Sequence, residues 1–153
     1  MLNEIVKTFA ENAISQIQKN IREKDPTGKG PMNNTGKMAD SLKWRFDGKE
    51  LIIYSTEKYI TVLETGRKPG KMAPPETIQA WVKTKLGKSD DKEVKSIAYL
   101  INKKISEKGS LLYQRGGNSG ILSSVINEEY VNENLTERLF AEFVKVATNE
   151  YLK

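Results

Sequence analysis

The 153-residue sequence has no cysteine and no histidine. Without thiols it can form no disulfide and offers no thiolate nucleophile. Without imidazoles it can build neither a Cys/His zinc site nor a histidine-based triad. Catalysis would fall to Asp, Glu, Lys, Tyr or Ser. Carboxylates could still hold Mg²⁺, but no DxD-type cluster is present. The adjacent pairs Asp90-Asp91 and Glu128-Glu129 read as a helix start and exposed surface. Tyr99 is the only aromatic residue in the lysine-rich stretch 92–108, which leaves little for base stacking there. No apolar run approaches the roughly 20 residues that span a bilayer. The opening MLNEIVKTFAENAI is amphipathic and carries acids, a pattern of neither a signal nor a transit peptide. The expectation is a cytosolic chain, or one assembled in the cytosol.

What the sequence does have is a net charge of +5, unevenly spread. Residues 1–125 carry 22 Lys/Arg and 14 Asp/Glu, whereas residues 126–153 carry 3 and 6. A basic body with an acidic tail suits phosphate or an acidic protein surface, including the tail of an adjacent copy. The plainer alternative is a solvated surface.

Length favours a single domain over residues 1–153 with a substantial core. Leu2, Ile5, Val6, Phe9, Ala13, Ile14, Ile17 and Ile21 recur at spacings of three and four, predicting an amphipathic helix of about 20 residues. Asp25-Pro26 ends it, because proline disfavours helical backbone at the residue before it. Glycine, proline and asparagine then predict a mobile loop over 24–35, with Thr35 as a cap for a short turn. Leu42, Trp44 and Phe46 alternate with Lys43 and Arg45, Asp47-Gly48 signals a hairpin turn, and Leu51 to Tyr54 return as the second strand.

Tyr59, Ile60, Val62 and Leu63 predict one or two helical turns, stopped by a left-handed Gly66. Pro74-Pro75 opens a helix with Ile78, Trp81, Val82 and Leu86 buried and Gly87 at its end. The next helix, capped by Ser89 or Asp90, turns Val94, Ile97, Ala98, Leu100, Ile101 and Ile105 inward. Lys92, Lys95, Lys103, Lys104 and Lys108 fall mostly on its other side, and Gly109 stops it. Residues 109–120 read as flexible, and Ile121 to Tyr130 fits strand or helix. A last helix is expected from about Leu135 to Tyr151, capped by Asn134, with Leu139, Phe140, Phe143, Val144, Val146 and Ala147 buried. The predicted fold is α+β: a long N-terminal helix, an antiparallel hairpin, and several packed helices including a long C-terminal one.

Glycine and proline concentrate in ETGRKPGKMAPPETIQAW, residues 64–81. A loop with Arg67, Lys68 and Lys71 between two apolar stretches suits a catalytic site, a nucleic-acid grip or a docking surface. Glu64 is the nearby carboxylate. A catalytic acid needs a second group and a pocket, and the sequence offers no obvious second group, so a salt bridge to Arg67 or a local cap is the simpler role. RGGNSG, from Arg115 to Gly120, lacks the GK[ST] ending of a phosphate loop and reads as a flexible segment able to order against a neighbour. Trp81 is most simply core, while Trp44 sits on a strand that exposes one face.

The order of these pieces resembles a known family. NTGKMADSLKW, a hairpin ending LIIYS, then YITVLETGRKPGKMAPPETIQAWVKTKLG, an amphipathic helix and KGS are together similar to the tail-completion, or head–tail joining, proteins of tailed bacteriophages. Thr35, Gly36, Tyr59, Glu64, Gly66, Pro74, Pro75, Trp81, Gly109 and Ser110 carry the resemblance, which covers roughly residues 30–115. The Gly116 to Gly120 stretch and the long C-terminal helix depart from the pattern.

The resemblance implies a non-enzymatic structural protein of the virion, without cofactor or metal and with no membrane role, assembled in the host cytoplasm. It implies a homo-oligomeric ring, six- or twelve-fold, at the neck or upper tail. Portal, neck or tail proteins would be its partners, with non-specific contact to DNA in the channel. The loop over 66–74 then reads as a docking arm whose prolines lower the ordering cost. Arg67, Lys68, Lys71 and Met72 of this loop, together with Arg115, are the expected interface residues. Deleting 67–72 is expected to leave a folded monomer that cannot join particles. The alternatives are a small basic nucleic-acid-binding protein, an enzyme working through Glu, Lys or Tyr, and a toxin or inhibitor that binds another protein.

Overall fold

The structure, a computed structural model, describes residues 1–28, 36–57 and 59–151, Tyr151 by its backbone alone. Helix α1 (Leu2–Glu23) buries Val6, Phe9, Ala10, Ala13, Ile17, Asn20 and Ile21. Their spacing places them on one stripe; Leu2, expected on it, is exposed. The chain turns to extended backbone at Lys24, just before Asp25-Pro26. Thr35 and most of the loop expected over 24–35 lie outside the described residues. Gly36, at φ +79°, occupies the N-cap of the short helix α2 (Lys37–Asp40).

Strands β1 (Leu42–Phe46) and β2 (Leu51–Ser55) pair antiparallel, with Leu42 opposite Ser55 and Phe46 opposite Leu51. Alternation sets the faces. Leu42, Trp44, Phe46, Leu51 and Ile53 share one, and Lys43, Arg45, Ile52 and Tyr54 share the other. The Asp47 N–H donates to the Glu50 carbonyl at 3.4 Å, so Gly48 and Lys49 form the turn. Gly48 takes φ +93°, the glycine-first arrangement that matches strand twist. The Asp47 carboxylate accepts from the Lys49 and Glu50 N–H groups at 2.9 and 2.8 Å. These bonds, Glu50's foremost, hold its pKa below the usual carboxylate value. Among the described residues the sheet has two strands, so each leaves one edge unpaired.

Helices α3 (Ile60–Thr65), α4 (Pro75–Lys85), α5 (Asp91–Lys108) and α6 (Leu111–Gln114) follow. Pro75 opens α4 at its first turn, and the Asp90 side chain caps α5 by accepting from the Lys92 N–H. The C-terminal helix starts earlier than expected. Helix α7 (Glu128–Val131), a π-helical turn (Asn132–Thr136) and α8 (Glu137–Tyr151) run on without a break. The cap is Asn127, whose Oδ1 accepts from the Tyr130 N–H at 2.9 Å. Asn134, the expected cap, lies inside the helix and donates to the Tyr130 carbonyl.

The larger apolar cluster joins Phe9, Ala13, Ile17 and Ile21 of α1 to Ala39, Leu42, Leu63, Ile121 and Val125. The Ile121 to Tyr130 stretch is neither strand nor helix before Glu128. It is an irregular strap that drops Ile121 and Val125 into the core. The buried Asn20 side chain holds the strap by donating to the Ile121 carbonyl and the Ser124 hydroxyl, each at 3.1 Å. A second cluster joins Val82 of α4 to Val94 and Ala98 of α5. Trp81, Leu86 and Leu100, expected inside, are exposed.

Candidate assembly interface

Four of the positions that carry the family resemblance meet at one junction. Glu64, in the last turn of α3, accepts from the Leu122 N–H at 2.8 Å, with the Ser119 hydroxyl 3.4 Å from the same oxygen. Ser119 also donates through its hydroxyl to the Leu63 carbonyl at 2.6 Å and through its N–H to the Glu64 carbonyl at 3.0 Å. Burial acts to raise the Glu64 pKa. Hydrogen bonds from Ser123, Leu122 and Ser119 outweigh it and hold the carboxyl below its usual value. Glu64 is therefore the local cap of the two roles read from sequence, and its partners are in 119–123 rather than at Arg67.

One residue beyond α3, Gly66 takes φ +77° with extended ψ rather than the left-handed helical stop expected. A Cβ there would lie 2.5 Å from the Tyr113 nitrogen and 2.6 Å from the Ser110 Oγ. A Cβ on Gly109 would lie 2.9 Å from the Arg67 carbonyl oxygen. Ser110 closes the junction. Its Oγ accepts from the Arg67 N–H at 2.9 Å, and its own N–H donates to the Arg67 carbonyl at 2.9 Å. The 109–120 segment, expected to be a flexible or interface loop, is thus bonded to the last turn of α3 and to Arg67 just beyond it. Gly117 belongs to the same contact, with its Cα backed against the Thr65 carbonyl.

The basic loop that follows is held down along its length. The Arg67 guanidinium donates to the Lys71 carbonyl at 3.1 Å, and the Gly70 N–H donates to the Ser106 carbonyl at 2.8 Å. Ala73 is fixed by the buried Asn102. The exposed stretch runs from Lys68 to Met72, and Lys71 and Met72 line a shallow pocket with Pro74 and Tyr99. Arg115 is not part of this cluster; its guanidinium donates to the Thr27 carbonyl at 2.6 Å. Tyr59 is the N-cap residue of α3 and half-buried.

One uncovered apolar surface was not expected. Phe140 and Phe143 are 67% and 69% exposed, and Val144 and Val146 are also exposed. The predicted burial of this face of α8 is wrong in the isolated chain. Full burial of one such side chain is worth about 1.5–3 kcal/mol, so the two phenylalanines leave roughly 2–4 kcal/mol unrealised. Near the foot of the same helix an apolar groove of about 730 Å³ follows β2 from Leu51 to Ser55. Phe9, Ile60, Leu122, Ile126, Val131 and Leu135 are among its walls. The sequence signal for this pair of surfaces is the strong amphipathic period of 137–147, which gives a stripe but not its cover.

No known protein-family model matches the chain, and neither a curated protein nor a solved structure matches it. Among the described residues no group of three acidic side chains could hold a metal ion, and no helix is long and apolar enough to cross a membrane.

Proposed function

We propose that the protein is a structural subunit of a tailed-phage virion, one copy in a ring that joins head to tail at the neck or upper tail. The observation that carries this reading is the convergence of Glu64, Gly66, Gly109 and Ser110. Positions scattered over nearly fifty residues of sequence share one junction, where each residue type is required by a contact. Such a junction supports the reading of a scaffold that holds surfaces in place. Glu64, the carboxylate nearest the basic loop, is occupied as a cap. The exposed Phe140, Phe143 and Val144 give such a subunit apolar surface to bury on assembly.

The test is the composition of purified particles. Mass spectrometry of virions of the encoding phage should find the chain in a fixed copy number, and the purified chain should form a defined oligomer. Absence from washed particles would overturn the reading.

A second reading, a small nucleic-acid-binding protein, is favoured by one stripe of α5. Lys92, Lys95 and Lys103 lie on the same helical face as Tyr99, which is 58% exposed. Cations around one stackable ring suit single-stranded nucleic acid. Gel-shift titrations at two salt concentrations separate the readings, because phosphate contacts give steep salt dependence.

A further inference from the structure

We propose that the Phe140, Phe143 and Val144 stripe of α8 seats in the β2 groove of a second copy, so that copies join head to tail. The inference rests on the self-assembling part of the function proposed above and supplies its contact.

The chain carries both halves of the joint, and it cannot close the joint on itself. Val131 and Leu135, earlier on the same continuous helix, already form a wall of the groove. Leu139 and Glu142 continue on the half-buried side of α8. At about 100° per residue, Phe140, Phe143 and Val144 come off a different side and face solvent. A straight helix cannot turn that side back into a groove walled by its own first turns.

The dimensions agree. Five residues of strand give the groove about 17 Å of length. Phe140, Phe143/Val144 and Ala147 repeat once per turn over about 10 Å of helix. The groove lining is largely apolar, and Tyr54 and Ile126 at its mouth are 41% and 46% exposed.

The charges agree as well. Helical spacing puts Glu137 and Glu150 on the flanks of the stripe, with Arg138 and Lys145 on the opposite side of α8. On the hairpin, Lys43 stands directly across from Tyr54 and Arg45 across from Ile52. Neither cation lines the groove, but each stands on the solvent face of the sheet beside a residue that does, Tyr54 or Ile52. Among the described residues no ion pair engages Lys43, Glu137 or Glu150. An acid-flanked apolar helix therefore meets an apolar groove with two cations beside its β2 wall. Because the two patches differ, the contact is heterologous, and repeating it closes a ring or extends a filament.

Sedimentation velocity on the full chain and two double variants tests this. Phe140→Ser with Phe143→Ser removes the stripe, and Tyr54→Asp with Ile126→Asp blocks the groove mouth. Phe140 and Phe143 are about two-thirds exposed, so the first variant should melt like the wild type; Tyr54 and Ile126 are each more than half covered, so the second should melt lower but cooperatively, which a thermal melt checks. Wild type should form oligomers, each variant alone should lose association by at least tenfold, and an equimolar mixture should form dimers and nothing larger. The mixture is decisive, since each variant keeps the half the other lacks. Charge reversal adds a second arm: Glu137→Lys with Glu150→Lys should weaken assembly, and Lys43→Glu with Arg45→Glu in the same chain should restore it.

A wild type that is monomeric at all concentrations overturns the proposal, as does a mixture that stays monomeric. Oligomers that persist in both variants overturn this contact while leaving self-assembly intact. Oligomers that behave as proposed but are absent from virions leave the contact standing and remove the virion reading.

Discussion

Asn102 and Ala73 bond to each other twice. The Ala73 N–H donates to the Asn102 Oδ1 at 2.9 Å, and the Asn102 Nδ2 donates to the Ala73 carbonyl at 2.8 Å. Both residues are buried. The side chain imitates a strand partner, satisfying a backbone donor and acceptor where water cannot. One amide thereby fixes the end of the basic loop to the middle of α5, one residue before the Pro74-Pro75 start of α4.

Asn102→Leu should therefore strand a buried N–H and a buried carbonyl. Each unsatisfied group costs about 1–3 kcal/mol, so urea titration should show a loss of roughly 2–6 kcal/mol. Hydrogen exchange gives the local readout: the Ala73 amide should exchange much faster, while the α1 amides change only with global stability.

The junction makes a prediction that separates two glycines with similar φ. Gly66→Ala places a methyl 2.5 Å from the Tyr113 nitrogen, at φ +77°. Gly87→Ala, at φ +63°, meets nothing within 4 Å. Left-handed strain alone costs about 1–2 kcal/mol, which is the expectation for Gly87. Gly66 adds overlap with backbone that cannot move away, so its loss should be about 3 kcal/mol or more. Thermal melts of the two variants compare them directly.

These contacts mark how far the sequence could be read. The hairpin was legible because Leu42, Trp44 and Phe46 alternate with charge and a glycine stands at the turn, both local signals. The start of the C-terminal helix was not. Asn134 has the chemistry of a cap, but so does Asn127, and Glu128-Glu129 behind Asn127 complement the helix dipole better. The hold on 115–120 was also hidden, since Ser119 finds Glu64 across 55 residues and glycine-rich composition looks the same bound or free. Phe140 and Phe143 show the limit of periodicity. It tells which residues share a face and is silent on whether this chain or another covers it.

Glu64 should leave a signature in the pH dependence of stability. Its pKa is lowered on folding from a starting value of 4.5. The stabilisation is therefore present above that value and lost as pH falls through the lower folded value. Glu64→Gln keeps an oxygen for the Leu122 N–H but forgoes the charge. At pH 7 it should cost about 1 kcal/mol, the difference between a charge-assisted and a neutral hydrogen bond. The gap between variant and wild type should close on acidification below pH 4.5. Urea midpoints at pH 7 and at acid pH test the sign; a gap that widens in acid contradicts the capping role.

The basic loop calls for a milder experiment than its removal. Arg67 is bonded to Ser110 and Gly70 to Ser106, so deleting 67–72 takes away structural bonds, and a folded monomer is no longer the expected product. Lys68 and Lys71 can be changed instead. Both side chains are exposed, and the Lys71 carbonyl that Arg67 uses belongs to the backbone. Lys68→Glu with Lys71→Glu should alter stability by less than about 0.5 kcal/mol. If the loop docks on an acidic neighbour, the variant should melt normally yet enter particles poorly when competed against wild type. If its partner is nucleic acid, incorporation should be unchanged, while affinity falls and the salt dependence of binding becomes shallower. Equal incorporation with equal nucleic-acid affinity would remove the loop from both roles.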